Sequence, residues 1–247
     1  MSARKNQEQV LCGQRAVLAA LQMRPNALKR LYFASERSRE LQPILAELAQ
    51  RRAIFRQLSA EELDRVAGSR AHQGLAAVFD LPEVPLLSRE AVRRAATRPG
   101  VTLLLDGVGN PHNLGAIART AAFLGVRALW LGGDGVTSVR SAAAYRTASG
   151  GLEHLPAFAC HDALAVVGAF QEAGGMALAL TVHGDKNLID LAVFRAKPVL
   201  LALGSEENGL DPAIEAECGQ KVRIPGAGGV ESLNVGVAAA IALAALL

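Results

Sequence analysis

The stretch Val101–Arg119, VTLLLDGVGNPHNLGAIAR, contains a strand, a loop and the beginning of a helix. Its first part, Val101–Asp106, is a continuous apolar run, which is typical of a strand that is buried on both faces of a sheet. A loop with two glycines follows. The helix is predicted over Leu114–Leu124, and Asn113 is placed to cap its first turn.

Three later apolar runs predict further buried strands. They are Arg127–Leu131, Met176–Thr181 and Pro198–Leu203. Helical stretches separate these runs, so residues 100–247 are predicted to form a mainly parallel α/β domain. Because ligands in such domains bind at the carboxyl ends of the strands, we expect the chemistry of this chain in the loops that follow them.

Two more loops carry polar residues directly after predicted strands. Leu203–Leu210 has the sequence LGSEENGL, in which two glycines flank two carboxylates and an amide. Val222–Val235, VRIPGAGGVESLNV, predicts a short strand, a glycine-rich loop and an apolar helix that Ser232 would cap, with Asn234 in its first turn. Taken singly, each of the three loops is equally typical of an ordinary polar turn. They contain neither the dinucleotide fingerprint nor a phosphate-loop lysine.

The N-terminal third of the chain predicts a separate small α/β unit. Leu28–Ala34 and Gly74–Phe79 have the composition of strands, and Ser38–Arg52 has the apolar spacing of a helix. Ser59, followed by two glutamates, can cap a second helix.

The predicted division of the chain is a unit over residues 1–80, a linker over 81–99 and a domain over 100–247. The linker contains three prolines and one short helical stretch. Charge follows the same division: the first unit has 13 Lys and Arg against 8 Asp and Glu, and the last domain has 9 against 13. A basic N-terminal unit suits a polyanion such as nucleic acid, although a solvated surface would have the same composition.

The composition is that of an ordinary globular protein. The chain has 247 residues, of which 51% are hydrophobic and 20% are charged. No apolar run reaches the roughly 18 residues of a membrane span, and the N-terminus lacks the apolar core of a signal peptide, so we expect a cytoplasmic protein. The three cysteines are far apart and lack metal-ligand spacing, which predicts buried thiols and no metal site.

In their order and residues, the three loops together resemble the three motifs of the SpoU/TrmH family of RNA ribose methyltransferases, within the SPOUT superfamily. The resemblance covers the whole predicted C-terminal domain and is most specific at Asn110–Arg119 and Ser232–Val235. The N-terminal unit resembles the RNA substrate-binding domain of many members. The segments Gly13–Val17 and His72–Ala76 carry that second resemblance.

The resemblance implies an S-adenosylmethionine-dependent RNA 2′-O-ribose methyltransferase that acts on rRNA or tRNA, and the appended N-terminal unit favours rRNA. It also implies a SPOUT-type, mainly parallel sheet with a C-terminal trefoil knot, which nothing in the sequence periodicity predicts. Family members are homodimers in which the second subunit completes the site. The apolar helix Leu233–Leu247 suits such an interface, although packing in the core would explain it equally well.

The family motifs carry roles onto individual positions of this chain. Arg119 is the implied catalytic residue. Four polar residues would orient the arginine, the ribose or the methyl donor: Asn113, Glu206, Ser232 and Asn234. The donor would be gripped at the ends of the second and third loops by Leu203, Gly204, Ile224 and Leu233, with Gly209 and Pro225 beside them.

A ribose hydroxyl is a poor nucleophile until it loses its proton, so the enzyme must position the oxygen and assist its deprotonation. Arg119 is an awkward base because a guanidinium holds its proton in proteins. It is therefore either an unusual base that an RNA phosphate assists or a clamp that stabilises the developing alkoxide, and the clamp is the preferred interpretation.

Two alternatives from other classes remain at this stage. The first is a non-catalytic RNA-binding or ribosome-assembly protein that retains a donor pocket. Intact Arg119, Glu206, Ser232 and Asn234 argue against it. The second is a dinucleotide-dependent oxidoreductase, which the α/β pattern suggests but the missing fingerprint disfavours.

Overall fold

Two β-sheets organise the chain in the computed structural model, which describes residues 8–188 and 196–247. The smaller sheet has four strands and contains only residues from the N-terminal third of the chain. The larger sheet has seven strands, and the three loops that the sequence predicts to be functional follow three of them.

The N-terminal sheet has the strand order β1-β4-β2-β3. β4 is antiparallel to both of its neighbours, and β2 is parallel to β3. The elements of this unit are β1 (Glu8–Cys12), α1 (Gln14–Met23), β2 (Leu28–Phe33), α2 (Ser38–Gln50), β3 (Ile54–Gln57), α3 (Ala60–Ala67) and β4 (Leu75–Asp80), with short 3₁₀ turns at Pro25–Ala27 and Ser35–Arg37.

The predicted strands and helices of this unit are confirmed, with small shifts at their ends. Ser59 caps α3, because its hydroxyl accepts a hydrogen bond from the Glu62 amide at 3.3 Å while the Glu62 carboxylate accepts one from the Ser59 amide at 2.9 Å. The strands β1 and β3 were not predicted from the sequence. β3 is largely exposed and therefore lacks a continuous apolar run.

The large sheet has the strand order β7-β6-β5-β10-β8-β11-β9, and every neighbouring pair is parallel. The prediction of a mainly parallel α/β domain is therefore confirmed, while the trefoil knot stays a prediction. The strands are β5 (Gly100–Leu105), β6 (Leu129–Leu131), β7 (Ala157–Ala159), β8 (Met176–Leu180), β9 (Lys186–Asn187), β10 (Pro198–Leu203) and β11 (Gln220–Arg223).

Helices cover both faces of this sheet. Leu103 and Leu105 of β5 point to the face with α5, α7 and α11, whereas Leu104 between them points to the face with α4, α9 and α10. Because both faces are buried, the strand is apolar throughout. The helices are α4 (Arg89–Ala96), α5 (Pro111–Leu124), α6 (Gly135–Ser138), α7 (Ala142–Ala148), α8 (Gly151–His154), α9 (Ala163–Glu172), α10 (Pro212–Glu217) and α11 (Val235–Leu246).

All three cysteines are buried and free, as the sequence predicts. Burial raises the pKa of the Cys160 thiol to about 11 and that of Cys218 to about 12. Within residues 8–188 and 196–247, no helix combines the length and apolarity that a membrane crossing requires.

Helix α5 lies unusually close to α7, and one glycine makes this possible. A Cβ atom at Gly115 would stand 2.6 Å from the carbonyl oxygen of Ala144 and 2.7 Å from the Cβ of Thr147. Both neighbours belong to α7, and the first is backbone, so neither can move aside easily. Gly115 therefore sets the distance between the helix that follows the first loop and its neighbour.

We predict that Gly115→Ala lowers the free energy of unfolding by about 1–3 kcal/mol, because the new methyl group overpacks the α5–α7 contact. The measurement is chemical denaturation. Gly168→Ala in α9 is the matched control, since its Cβ would meet only the flexible end of the Glu217 side chain, at 3.2 Å. The control is expected to keep or raise stability, because alanine favours a helix. Equal effects of the two substitutions would contradict this account of Gly115.

Candidate active site

The three polar loops meet at one edge of the large sheet. They follow the carboxyl ends of β5, β10 and β11, and β5 pairs directly with β10, so that Leu105 lies beside Leu203. In parallel sheets this edge is where ligands bind. Three segments far apart in sequence therefore contribute to one surface.

The first loop enters α5 through an Asn-Pro pair. Asn110 is the N-cap, and its side-chain oxygen accepts hydrogen bonds from the amides of His112 at 2.9 Å and Asn113 at 3.4 Å. Pro111 occupies the first helical position, where a missing N–H costs nothing. The prediction that Asn113 caps this helix was therefore wrong. The sequence signal for the correct cap, an asparagine directly before a proline, was present and overlooked.

The side-chain amide of Asn113, which does not cap the helix, connects the three loops. Its Nδ2 donates to Oε1 of Glu206 in the second loop. Its Oδ1 accepts a hydrogen bond from Nδ2 of Asn234 in the third loop at 3.0 Å. Both ends of one side chain are thus satisfied by partners from other segments, which fixes the orientation of the amide.

The third loop enters α11 through Asn234. The Oδ1 of Asn234 accepts from the amides of Gly236 at 2.9 Å and Val237 at 3.4 Å, so this residue is the N-cap. The prediction that Ser232 caps the helix with Asn234 in its first turn was therefore wrong. Ser232 is exposed two residues before the cap. The difference matters because the cap bonds hold Asn234 where its Nδ2 reaches Asn113.

The second loop folds tightly back on itself. The amide of Gly209 donates to the carbonyl of Ser205 at 3.0 Å, and the amide of Asn208 donates to the Ser205 hydroxyl at 3.2 Å. A Cβ at Gly204 would lie 1.9–2.0 Å from the backbone of Gly209 and Leu210. Only glycine fits at position 204, because backbone approaches backbone there.

The structure places Arg119 on the exposed side of α5, six residues beyond Asn113. Among the described residues, nothing forms a hydrogen bond or ion pair with its guanidinium. Its backbone is firmly held, however, because a Cβ at Gly151 of α8 would stand 2.9 Å from the Arg119 Cα. The structure thus brings Asn113, Glu206 and Asn234 together, whereas Arg119 and Ser232 stay outside their hydrogen-bonded chain.

The predicted donor residues occupy both buried and exposed positions at this edge. Leu203 is buried at the end of β10, Ile224 packs partly against the core, and Pro225 and Leu233 are exposed. Open space surrounds the positions where Cβ atoms would stand on four nearby glycines, which are Gly209, Gly226, Gly228 and Gly229. The second and third loops therefore offer uncovered backbone groups to a ligand.

His112 lies in the first turn of α5, beside the three loops. Its Nδ1 lies 3.3 Å from the Thr147 hydroxyl of α7. A cavity of about 950 Å³ between α4 and α9 contains none of the predicted site residues. Because the predicted site residues lie instead at the carboxyl ends of β5, β10 and β11, we assign the site to the three loops. In residues 8–188 and 196–247 no group of three His, Cys, Asp or Glu residues could hold a metal ion.

Two family patterns match the sequence. Residues 100–244 match the SpoU rRNA Methylase family, and residues 10–85 match the RNA 2′-O ribose methyltransferase substrate binding family. All three loops lie within the first match. The second match spans the four-stranded sheet except for its outermost residues.

Curated relatives are similar over nearly the whole chain. The 23S rRNA (guanosine-2′-O-)-methyltransferase RlmB of Nitrosomonas europaea is 32% identical over 240 residues, which are 95% of this chain and 89% of that protein. RlmB of Pseudomonas aeruginosa is 33% identical over 241 residues, which are 95% of this chain and 94% of that protein.

A solved structure is similar as well. The SpoU methyltransferase AviRb from Streptomyces viridochromogenes, in complex with the cofactor AdoMet, superposes with a TM-score of 0.77 at 26% identity. The match covers 97% of this chain and 89% of that one.

We predict that Asn113→Asp is more destabilising than Asn113→Ala by about 1 kcal/mol. Aspartate removes the hydrogen-bond donor and sets a second carboxylate against Glu206, whereas alanine only removes the contacts. Thermal unfolding of wild type, of both Asn113 variants, of Glu206→Gln and of each Asn113 variant combined with Glu206→Gln gives two double-mutant cycles. The Glu206→Gln change is expected to rescue Asn113→Asp and not Asn113→Ala. Equal stability of the Asp and Ala variants would contradict the expected repulsion, and a coupling energy of zero in the alanine cycle would show that the Asn113–Glu206 contact contributes nothing to stability.

Proposed function

Because this chain belongs to the SpoU rRNA methylase family, we propose that it transfers the methyl group of S-adenosylmethionine to a ribose 2′-hydroxyl of ribosomal RNA. The observation that carries the proposal is the hydrogen-bonded chain Glu206–Asn113–Asn234, which joins the three loops at the carboxyl edge of the sheet. Relatives named as 23S rRNA methyltransferases support ribosomal RNA over transfer RNA. A ribosomal RNA substrate also supports a cytoplasmic location.

The loop ends suit the methyl donor. Backbone groups of Gly204 and Gly209 in the second loop and Ile224, Pro225 and Leu233 in the third would hold it, with Leu203 beneath. The open positions at Gly209, Gly226, Gly228 and Gly229 leave the backbone of both loops accessible. When bound, S-adenosylmethionine supplies a methyl group that is already activated by a sulfonium. The AdoMet complex of AviRb supports this assignment.

Because the donor methyl is already activated, the protein must act mainly on the acceptor, the ribose 2′-hydroxyl. The exposed guanidinium of Arg119 is available to an incoming ribose and its phosphates. A guanidinium that keeps its proton stabilises the negative charge that develops on the 2′-oxygen as its proton leaves. We therefore prefer the role in which Arg119 stabilises the developing alkoxide to the role in which it accepts the proton of the hydroxyl. Asn113, Glu206 and Asn234 hold the loops in register, and the Ser232 hydroxyl, free in the described structure, would orient the ribose or the donor.

The N-terminal unit, residues 1–80, is proposed to bind RNA, with residues 81–99 as the linker and residues 100–247 as the methyl-transfer domain. Two segments that resemble the substrate-binding domain meet in space, since the Gln73 side chain accepts from the Gln14 amide at 3.0 Å. Gln73 itself is exposed at φ 52°, and the Arg70 side chain beside it is 95% exposed. Such a polar and basic surface suits RNA phosphates.

The exposed faces of α5 and α11 support a homodimer. Phe123 of α5 is 87% exposed, and Val237 and Ile241 of α11 are 49% and 37% exposed. The two helices pack side by side, so these residues belong to adjoining surfaces. Arg119 lies one turn before Phe123 on the same side of α5. A second subunit seated here would bury the apolar residues and enclose the region of Arg119.

We predict that Arg119→Ala lowers methyl transfer by about 10²–10³-fold, as expected for the loss of a charge that stabilises the transition state. The measurement is transfer of labelled methyl from S-adenosylmethionine to unmodified ribosomal and transfer RNA pools. Arg94→Ala, an exposed arginine on α4 paired only with Glu90 at 2.8 Å, is the matched control and should retain activity. Full activity of Arg119→Ala would remove its catalytic role. Donor binding without transfer by the wild-type chain would favour the non-catalytic RNA-binding alternative.

We further predict that Ile241→Asp converts the homodimer into a monomer and lowers methyl transfer at least tenfold, because a buried carboxylate opposes the contact. Sedimentation velocity at micromolar concentration measures the first effect. Ile54→Asp on β3 is the control, since Ile54 is 61% exposed in the other sheet. A dimer that survives Ile241→Asp would place the interface elsewhere.

A further inference from the structure

A single arginine is enclosed between the two sheets. Arg24 ends α1, and its side chain is only 16% exposed. Its Nε lies 3.0 Å from both carboxylate oxygens of Glu153. Its Nη1 donates to the carbonyl of Asp80 at 2.8 Å, and its Nη2 donates to Oε1 of Gln9 at 3.2 Å. Every nitrogen of the guanidinium therefore has a named partner.

Two aromatic rings lie close to the Arg24 guanidinium. The guanidinium carbon lies 4.8 Å from the ring centre of Phe79 in the N-terminal unit and 5.5 Å from that of Tyr145 in α7. Burial raises the pKa of Tyr145 to about 12. Burial also raises the pKa of the Glu153 carboxyl, and the charge of Arg24 opposes that shift. The Arg24 and Glu153 side chains are only 16% and 5% exposed, so water is largely excluded around the ion pair.

The contacts of Arg24 come from both units. Gln9, Phe79 and Asp80 belong to the four-stranded sheet, whereas Tyr145 and Glu153 belong to the C-terminal domain. Two further hydrogen bonds join Arg140 of the C-terminal domain to the earlier part of the chain. The Gln9 side chain donates to the carbonyl of Arg140 at 2.6 Å, and the Arg140 guanidinium donates to the carbonyl of Pro82 at 3.0 Å. The Arg24 guanidinium has hydrogen-bond acceptors in both units, and it can bond to all of them only when the two units are docked in one orientation.

The C-terminal partners of Arg24 lie on the two helices that support α5. Glu153 is on α8, whose Gly151 backbone packs against the backbone of Arg119. Tyr145 is on α7, and Thr147 of the same helix contacts His112 at the start of α5. Only one helical turn of α8 therefore separates the ion pair from the backbone of the proposed catalytic arginine.

We propose that Arg24 and Glu153 are positioning residues for methyl transfer. They hold the RNA-binding unit in a fixed orientation to α5, so that RNA bound by the first unit presents one particular ribose to Arg119. The inference rests on the proposed function. It goes beyond it by assigning the selection of the target nucleotide to an ion pair that touches neither RNA nor donor.

The test compares wild type with Arg24→Met, Arg24→Lys and Glu153→Gln. Arg94→Met is the matched control, because Arg94 is an arginine outside the RNA-binding unit whose ion pair, with Glu90, is surface-exposed. Four quantities are measured: donor affinity, RNA affinity, the single-turnover rate at saturating RNA and donor, and the map of 2′-O-methylated nucleotides on an unmodified 23S rRNA transcript.

We expect Arg24→Met to slow single turnover by about ten- to a hundredfold, as for a small misplacement of the reacting groups, and to spread methylation onto neighbouring nucleotides. Donor affinity should stay within about threefold, because the donor loops are intact. Arg24→Lys should recover little, since an ammonium cannot form the planar fork. Arg94→Met should match wild type in all four quantities.

Arg24→Met could lose the cooperative unfolding transition of wild type, in which case Glu153→Gln tests the inference instead. This variant keeps the shape of the Glu153 side chain and one acceptor for Arg24. A folded variant with the wild-type rate and methylation map would overturn the inference and leave Arg24 a purely structural residue. Absence of methylation by wild type itself would instead overturn the proposed function, so the two failures are distinguishable.

Discussion

The candidate site depends on one side-chain amide. Asn113 donates to Glu206, 93 positions along the chain, and accepts from Asn234, 121 positions along. An amide can satisfy both partners only in one orientation, because its oxygen accepts and its nitrogen donates. The parallel register of β5 and β10 brings the first two residues to the same edge of the sheet, and the cap of α11 brings the third. The site is therefore a product of the whole sheet and not of any one loop.

The same edge is open. Three of the residues that would hold a donor, Gly209, Pro225 and Leu233, are exposed, and open space surrounds the Cβ position of Gly209. Transfer of a methyl group to a weak nucleophile benefits from a site with little water, where charges interact strongly. An open edge flanked by exposed Phe123, Val237 and Ile241 is thus consistent with a site that a second subunit covers.

The sequence predicts the sheet well and the helix caps less well. Strands such as Val101–Asp106 are found because burial on both faces makes them continuously apolar. The caps at Asn113 and Ser232 were misplaced because every polar residue near a helix start is a plausible cap, and only the Asn110-Pro111 pair or the geometry of Asn234 separates them.

For the site, the roles of individual residues came from the family resemblance and not from spacing alone. No sequence pattern joins Asn113 to Glu206, since their contact depends on sheet register. The Arg24–Glu153 pair lies outside sequence reasoning for the same reason. Its two residues are 129 positions apart, and each taken alone is typical of a charged surface residue.

The central pairing of the large sheet has a consequence for the order of folding. β10 lies between β5 and β8 and pairs with β5. The pairing of Gly100 with Pro198 therefore closes a loop of nearly one hundred residues. The four-stranded sheet, in contrast, needs only residues up to Asp80. Distant pairings form late because loop closure costs entropy before any contact compensates it. During synthesis the N-terminal unit can fold long before β10 leaves the ribosome. A nascent chain of this protein would then present the finished surface proposed to bind RNA while the edge proposed for methyl transfer does not yet exist.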